Sequence, residues 1–221
     1  MNLEDKINLD ERLRLKLSVP VNPEREIYRG NDLMPSCSTN INGYHIFNEI
    51  VVDRGPSPFA IQIEIHFDGE YMTTMVGDGL IIATPSGSTA YNLSAGGSIV
   101  QSNTDCICVT PLAPHSLSFR PVILPASTRI TLRKPEDNRN SAWVSLDGAT
   151  RFELKDGEEL HLEAADTKLQ LITEEDALMK EWGQRLNHLL NWNKRQPQKA
   201  FTRKITADAS QKEGEEDPCC M

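Results

Sequence analysis

The chain has 221 residues, 38% of them hydrophobic and 25% charged, with a formal net charge of -9 at pH 7. That length buries one good core, or one core with appendages, and the mixture is ordinary for a globular protein. The acidic balance excludes a general nucleic-acid surface, which is normally basic, and no apolar run reaches the ~20 residues that a membrane helix needs.

The opening MNLEDKINLDERLRLKLSV has no secretory h-region. Within it RLRLKLSV places Leu13, Leu15, Leu17 and Val19 on one side, the period-two pattern of a half-buried strand over residues 12–19. Residues 20–42 are rich in Pro, Asn, Ser and charge and read as a long connection. GYHIFNEIVVDRG then reads as one strand ending at Asp53-Arg54-Gly55.

AIQIEIHF alternates strictly, Asp68-Gly69 is a hairpin signal, and EYMTTMV returns beside it. Gly77-Asp78-Gly79 turns into LIIAT, an apolar run suited to burial on both faces. Ser86 and Ser88 then offer a helix cap, TAYNLSA fills two helical turns, and Gly96-Gly97 stops them.

CICVT, PVILP, TRITL, AWVSL, RFEL, LHLEA and KLQLI follow as short strands, with Asp147-Gly148 and Asp156-Gly157 as tight turns. Many short strands at close spacing predict a sandwich-like β body. Cys106 and Cys108 share a face of their strand as small apolar groups. Over 173–191, Thr173 with Asp176 makes a capping pair, and Leu178, Trp182, Leu186, Leu189 and Leu190 form the face of an amphipathic helix docking on the sheets. Residues 196–221 read as a disordered acidic tail. The five cysteines carry no metal-ligand spacing, the terminal CCM does not fit the four-residue prenylation pattern, and a reducing, cytoplasmic setting is expected.

Several residues carry two readings each. The SGSTAY turn holds an anion or a sugar hydroxyl on free N–H groups and hydroxyls, or Ser88 or Thr89 simply caps the helix. Glu49 points a carboxylate at a ribose diol, or lies in an ordinary strand. Asp53 and Arg54 serve a ligand, or pair across a turn. His115 donates to a ligand, or is a loop histidine. Trp143 is core, or a stacking platform. No Ser–His–Asp set or metal cluster is readable from spacing.

Taken in order, NEIVVDRGPSP (48–58), GDGLIIATPSGSTAYNLSAGG (77–97), TPLAPHSLSFRP (110–121), NSAWVSLDG (140–148) and the helix ending NWNKR (191–195) resemble the C-terminal domain of NAD kinases. LSFRP and AWVSLDG look eukaryotic, and Ser86 stands where the family usually has threonine. The resemblance implies a mainly β domain over 43–195, of the C-terminal NAD kinase sandwich type, with a short helix after TPSGSTAY and a C-terminal amphipathic helix. It implies ATP-dependent phosphorylation of the 2′-hydroxyl of the adenosine ribose of NAD to give NADP, with ATP and Mg2+ as donor and metal ion. A homo-oligomer assembled through this domain is expected, with neither nucleic acid nor membrane as partner.

Carried over by residue, Asn48 and Glu49 resemble the pair that engages the dinucleotide, and Ser86, Ser88, Thr89, Ala90 and Tyr91 the lining of the adenosine pocket. Asp78 resembles the aspartate that reaches a dinucleotide bound mainly by a neighbouring subunit. Asp147 lies near the site in the same comparison, and His115 behind it. The family's N-terminal α/β domain carries a Gly-Gly-Asp-Gly motif whose aspartate activates the hydroxyl. That motif does not occur here, so a partial chain without its own catalytic aspartate is expected, with residues 1–19 as the strand at the junction. A non-catalytic dinucleotide-binding or oligomerisation module is the alternative. A lipid kinase of the wider superfamily matches the NE…DRG and GSTAY blocks less closely.

Overall fold

The computed structural model describes residues 8–20, 25–30, 43–136, 140–173 and 177–191. The chain divides into two compact units, residues 1–182 and 183–221. The first holds two antiparallel sheets and a two-stranded ribbon.

The ribbon pairs β1 (Asn8–Arg12) with β15 (Leu169–Thr173). The six-stranded sheet contains β2 (Leu15–Ser18), β4 (Tyr44–Ile46), β6 (Ile61–Phe67), β7 (Glu70–Gly77), β11 (Ile130–Arg133) and β14 (Glu159–Ala164), in the order β4-β2-β14-β11-β6-β7. The seven-stranded sheet contains β3 (Ile27–Arg29), β5 (Glu49–Asp53), β8 (Gly79–Ala83), β9 (Cys106–Leu112), β10 (Val122–Pro125), β12 (Ala142–Leu146) and β13 (Thr150–Leu154), in the order β10-β9-β8-β5-β12-β13-β3. The mainly β expectation holds.

Alternation builds the sandwich. Ile61, Ile63 and Ile65 of β6 and Leu160 and Leu162 of β14 meet Ile50, Val52, Val144 and Phe152 of the other sheet in one core. Each such side chain contributes roughly 1.5–3 kcal/mol by leaving water. A second, smaller core lies on the outer side of the seven-stranded sheet, where Val51, Ile81, Ala83, Cys106 and Cys108 pack with Val100. The central strand β8 is therefore buried at every residue, as its unbroken apolar run predicts.

The cover over that outer face is the segment after β8. It begins with a 3-10 turn, Gly87–Thr89, and continues as a single helical turn α1, Tyr91–Ser94. The expected two-turn helix is interrupted at Ala90, whose φ/ψ of -93°/-129° lies outside the helical region. Neither Ser86 nor Ser88 supplies the expected cap. Ser86 is itself helical and makes no side-chain cap bond. The Gly87 N–H instead bonds the Thr84 hydroxyl at 3.1 Å. At the far end Gly96, with φ +81°, and Gly97 return N–H bonds to Leu93 O and Asn92 O, a left-handed stop of Schellman type.

Four other expectations change. Residues 12–19 are not one strand, since β1 ends at Arg12 and β2 begins at Leu15. GYHIFNEIVVD is two strands in two different sheets, broken at Phe47-Asn48. The 20–42 connection contains β3, with Ile27 fully buried. Thr173, expected at the start of the C-terminal helix, is the last residue of β15, opposite Asn8. That helix, α2, runs over Ala177–Leu190 and continues through Gly183. Asp176 and the 196–221 tail lie outside the described residues.

Candidate functional site

The site forms where the chain leaves one sheet for the other. Between β4 and β5 the backbone of Phe47 and Asn48 belongs to neither sheet, so its polar groups need other partners. Asp147 takes the N–H groups. Its Oδ2 accepts from Phe47 N at 2.8 Å, and its Oδ1 from Asn48 N at 2.7 Å and Glu49 N at 3.1 Å. Thr84 takes the carbonyls, its hydroxyl donating to Phe47 O at 2.6 Å and its N–H to Asn48 O at 2.9 Å.

This clamp brings the two predicted clusters together. Gly87 of the SGSTAY turn lies so close to Asn48 that an added Cβ would fall 2.1 Å from Asn48 O. The Tyr91 N–H, just past the Ala90 kink, faces the Glu49 carboxylate and favours its charged form. Glu49 is 9% exposed, and its Oε2 has no hydrogen-bond partner. Burial, and then the neighbouring Asp147 charge, push its carboxyl above the ordinary glutamate value, against the Tyr91 N–H. The buried Ser86 hydroxyl also has no partner. A buried acceptor and a buried hydroxyl, each left unpaired, are groups that a polyhydroxylated ligand satisfies.

The remaining predicted residues divide. Thr89 and Tyr91 are exposed beside this cluster and Ala90 is half-buried. Ser88 faces inward and is fully buried. Its hydroxyl lies 2.7 Å from Pro85 O and 3.0 Å from Val100 O, and accepts the Val100 N–H at 3.0 Å. It ties the turn to Pro85 and Val100 of the same covering segment and offers a ligand nothing. Asn92, equally buried, continues that network, donating to Ser88 O and Ser98 O at 3.2 Å and accepting the Thr110 hydroxyl at 2.6 Å.

Asp78 is elsewhere. It precedes β8 while Thr84 follows it, a separation of about 20 Å at ~3.3 Å per residue. Its carboxylate accepts from Arg54 Nε at 3.1 Å and remains exposed. His115 belongs to that far end too, its N–H bonded to Val76 O at 2.9 Å. Asp53 and Arg54 do not pair with each other. Asp53 instead accepts from Gly55 N at 2.7 Å and Arg151 Nη2 at 3.1 Å. Trp143 is half-buried rather than core, with the Arg151 guanidinium 5.1 Å above its ring and Gly55 against its edge.

Sequence reasoning missed Thr84, Gly87 and Asn92. A Thr before Pro at the end of a buried strand was the available signal for the first. Among the described residues no three His, Cys, Asp or Glu side chains converge as a metal site. A hollow of about 520 Å³ on the six-stranded sheet, lined by Ser18, Asp68, Arg129, Thr131, His161 and Glu163 among others, shares no residue with the Glu49 cluster.

Fold and site together define a two-sheet β domain that presents a carboxylate and a hydroxyl turn at a sheet-to-sheet crossing. The ATP-NAD kinase C-terminal domain model matches residues 47–174, and the chain belongs to that family. It is 40% identical over 199 residues to an ATP-NADH kinase of Saccharomyces cerevisiae, covering 90% of this chain and 39% of the relative. With the NAD(+) kinase of the same yeast the identity is 40% over 202 residues, covering 91% and 37%. The chain thus spans under two fifths of the length of these relatives.

The crystal structure of yeast NADH kinase complexed with NADH superimposes with a TM-score of 0.68 at 30% identity, covering 86% of this chain and 51% of that one. An NAD kinase from Archaeoglobus fulgidus in complex with ATP shares the fold, with a TM-score of 0.61 at 22% identity over 80% of this chain and 59% of the other.

Proposed function

We propose that this chain is the dinucleotide-binding part of an NAD kinase, which phosphorylates the 2′-hydroxyl of the adenosine ribose of NAD with ATP to give NADP. The observation that carries the reading is the buried, unpaired Glu49 Oε2 beside Asn48, with the SGSTAY turn packed directly on Asn48. A ribose diol donates to an ionised carboxylate through two short bonds, and such charge-assisted bonds are the stronger kind. Phosphoryl transfer depends mainly on positioning the acceptor hydroxyl and neutralising phosphate charge. Glu49, Asn48 and the turn supply the first requirement. Mg2+, carried with the ATP phosphates, supplies the second when bound.

Relatives named as NAD(H) kinases, and a similar structure holding NADH, support this assignment. Thr89, Ala90 and Tyr91 then border the adenosine, and Asp78, exposed at the far end of β8, serves a dinucleotide on a second copy of the chain. The same reading includes a homo-oligomer in the cytoplasm with no membrane partner, and the acidic composition fits the lack of a nucleic-acid partner.

The test is calorimetric titration of the 221-residue chain with NAD. Glu49→Ala should weaken binding by about tenfold or more, the loss of the carboxylate's charge-assisted bonds to the diol, with the fold unchanged by circular dichroism. Equal affinity in the two proteins rejects the assignment. The second reading, a non-catalytic module acting with complete subunits, is favoured by one fact, that the chain spans under two fifths of the length of its kinase relatives. NADP formation from NAD, ATP and Mg2+ by the isolated chain decides between them.

A further inference from the structure

Asp147 is joined to the 47–49 segment more closely than any residue that simply borders a ligand. Its two carboxylate oxygens receive three consecutive backbone N–H groups at 2.7 to 3.1 Å. Its own N–H returns a bond to Glu49 O at 3.0 Å. The residue sits at φ +47° with Gly148 at +64°, the left-handed pair that turns β12 back into β13. Aspartate tolerates that conformation better than most side chains. The hairpin tip thereby aims a carboxylate at the one stretch of the crossing chain whose N–H groups have no strand to pair with.

We propose that Asp147 is a positioning residue, whose carboxylate holds the backbone of Phe47, Asn48 and Glu49 and so fixes the Asn48–Glu49 pair for the ligand, without contacting the ligand itself. The inference rests on reading that pair as the dinucleotide contact. It departs from the expectation that Asp147 is a binding residue, because three of the roughly four acceptor sites on its oxygens already receive N–H bonds. Its charge has a second effect. Glu49 is faced by the Asp147 carboxylate and by the Tyr91 N–H, and the two act in opposite directions on its ionisation, behind the larger influence of burial. The group that orders the pair therefore also opposes charging it.

Two variants of the full chain test this, Asp147→Asn and Asp147→Ala. The readouts are the Glu49 side-chain carboxyl titration by NMR, amide hydrogen exchange at 47–49 against β6, and NAD affinity by calorimetry. In Asp147→Asn the Glu49 midpoint should fall. In Asp147→Ala exchange at 47–49 should quicken about tenfold while β6 stays protected, and both variants should bind NAD about tenfold more weakly. Unchanged Glu49 titration together with unchanged protection in Asp147→Asn overturns the proposal, and that variant decides the matter if Asp147→Ala does not fold. Lost affinity with both NMR readouts unchanged also overturns it, because Asp147 is then a direct contact. If the wild-type chain fails to bind NAD, the site assignment falls, and the NMR readouts still decide whether Asp147 holds the segment.

Discussion

At Glu49 the requirements of binding and of folding point in opposite directions. Burial raises the carboxyl above its ordinary value of 4.5, so the folded chain holds the proton more tightly than the unfolded one. Stability therefore falls as pH rises from that ordinary value through the folded one, and the full cost applies above both. Glu49→Gln should raise the melting temperature near neutral pH, with the gain disappearing in melts run below the ordinary glutamate value, and should weaken NAD binding in the same protein. Ser88 is the opposite case, a hydroxyl used wholly by the fold. Ser88→Ala leaves Pro85 O and the Val100 backbone short of a buried partner and should cost about 1–3 kcal/mol, read as a lower denaturant midpoint.

Among the elements, the 3-10 turn and α1 are located by contact rather than by propensity. A Cβ at Gly87 would overlap the Asn48 backbone, which cannot rotate away as a side chain tip would. Gly87→Ala should move the turn off Asn48 and reduce NAD affinity by about tenfold or more. At Gly96 the space is open and only the positive φ matters, so Gly96→Ala should cost about 1–2 kcal/mol of stability and leave the affinity unchanged. The same distinction explains what was legible beforehand. β6, β8 and the Asp68-Gly69 hairpin follow from periodicity and turn chemistry, which are local. The break at Phe47-Asn48 does not, because IFNEIVV is apolar enough to continue, and the chain changes sheet where Asp147, about a hundred residues later, receives its N–H groups and Thr84 its carbonyls. Asn48, Glu49 and the turn were read through a family resemblance, whereas the supporting Thr84, Gly87 and Asn92 act through buried backbone contacts that no spacing rule exposes.

Across the whole molecule, the two sheets depend on one another through a common core. Phe152 is fully buried there, with the Arg25 guanidinium 5.2 Å above its ring. Phe152→Ala should lose about 3–5 kcal/mol and lower the melting temperature in a single transition. The outer core under the turn is much smaller, so a cavity at Ile81 should loosen the site before it unfolds the sandwich. β8 runs between these two layers with apolar residues on both sides, and that has a price in information. A strand without an inside and an outside cannot choose its own alignment from its side chains. The choice passes to its ends, above all to Gly79, where any side chain would strike the Val52 carbonyl at 2.5 Å. Where Ser86 stands is thus decided in part at the opposite edge of the sheet, by an atom that is missing from a glycine.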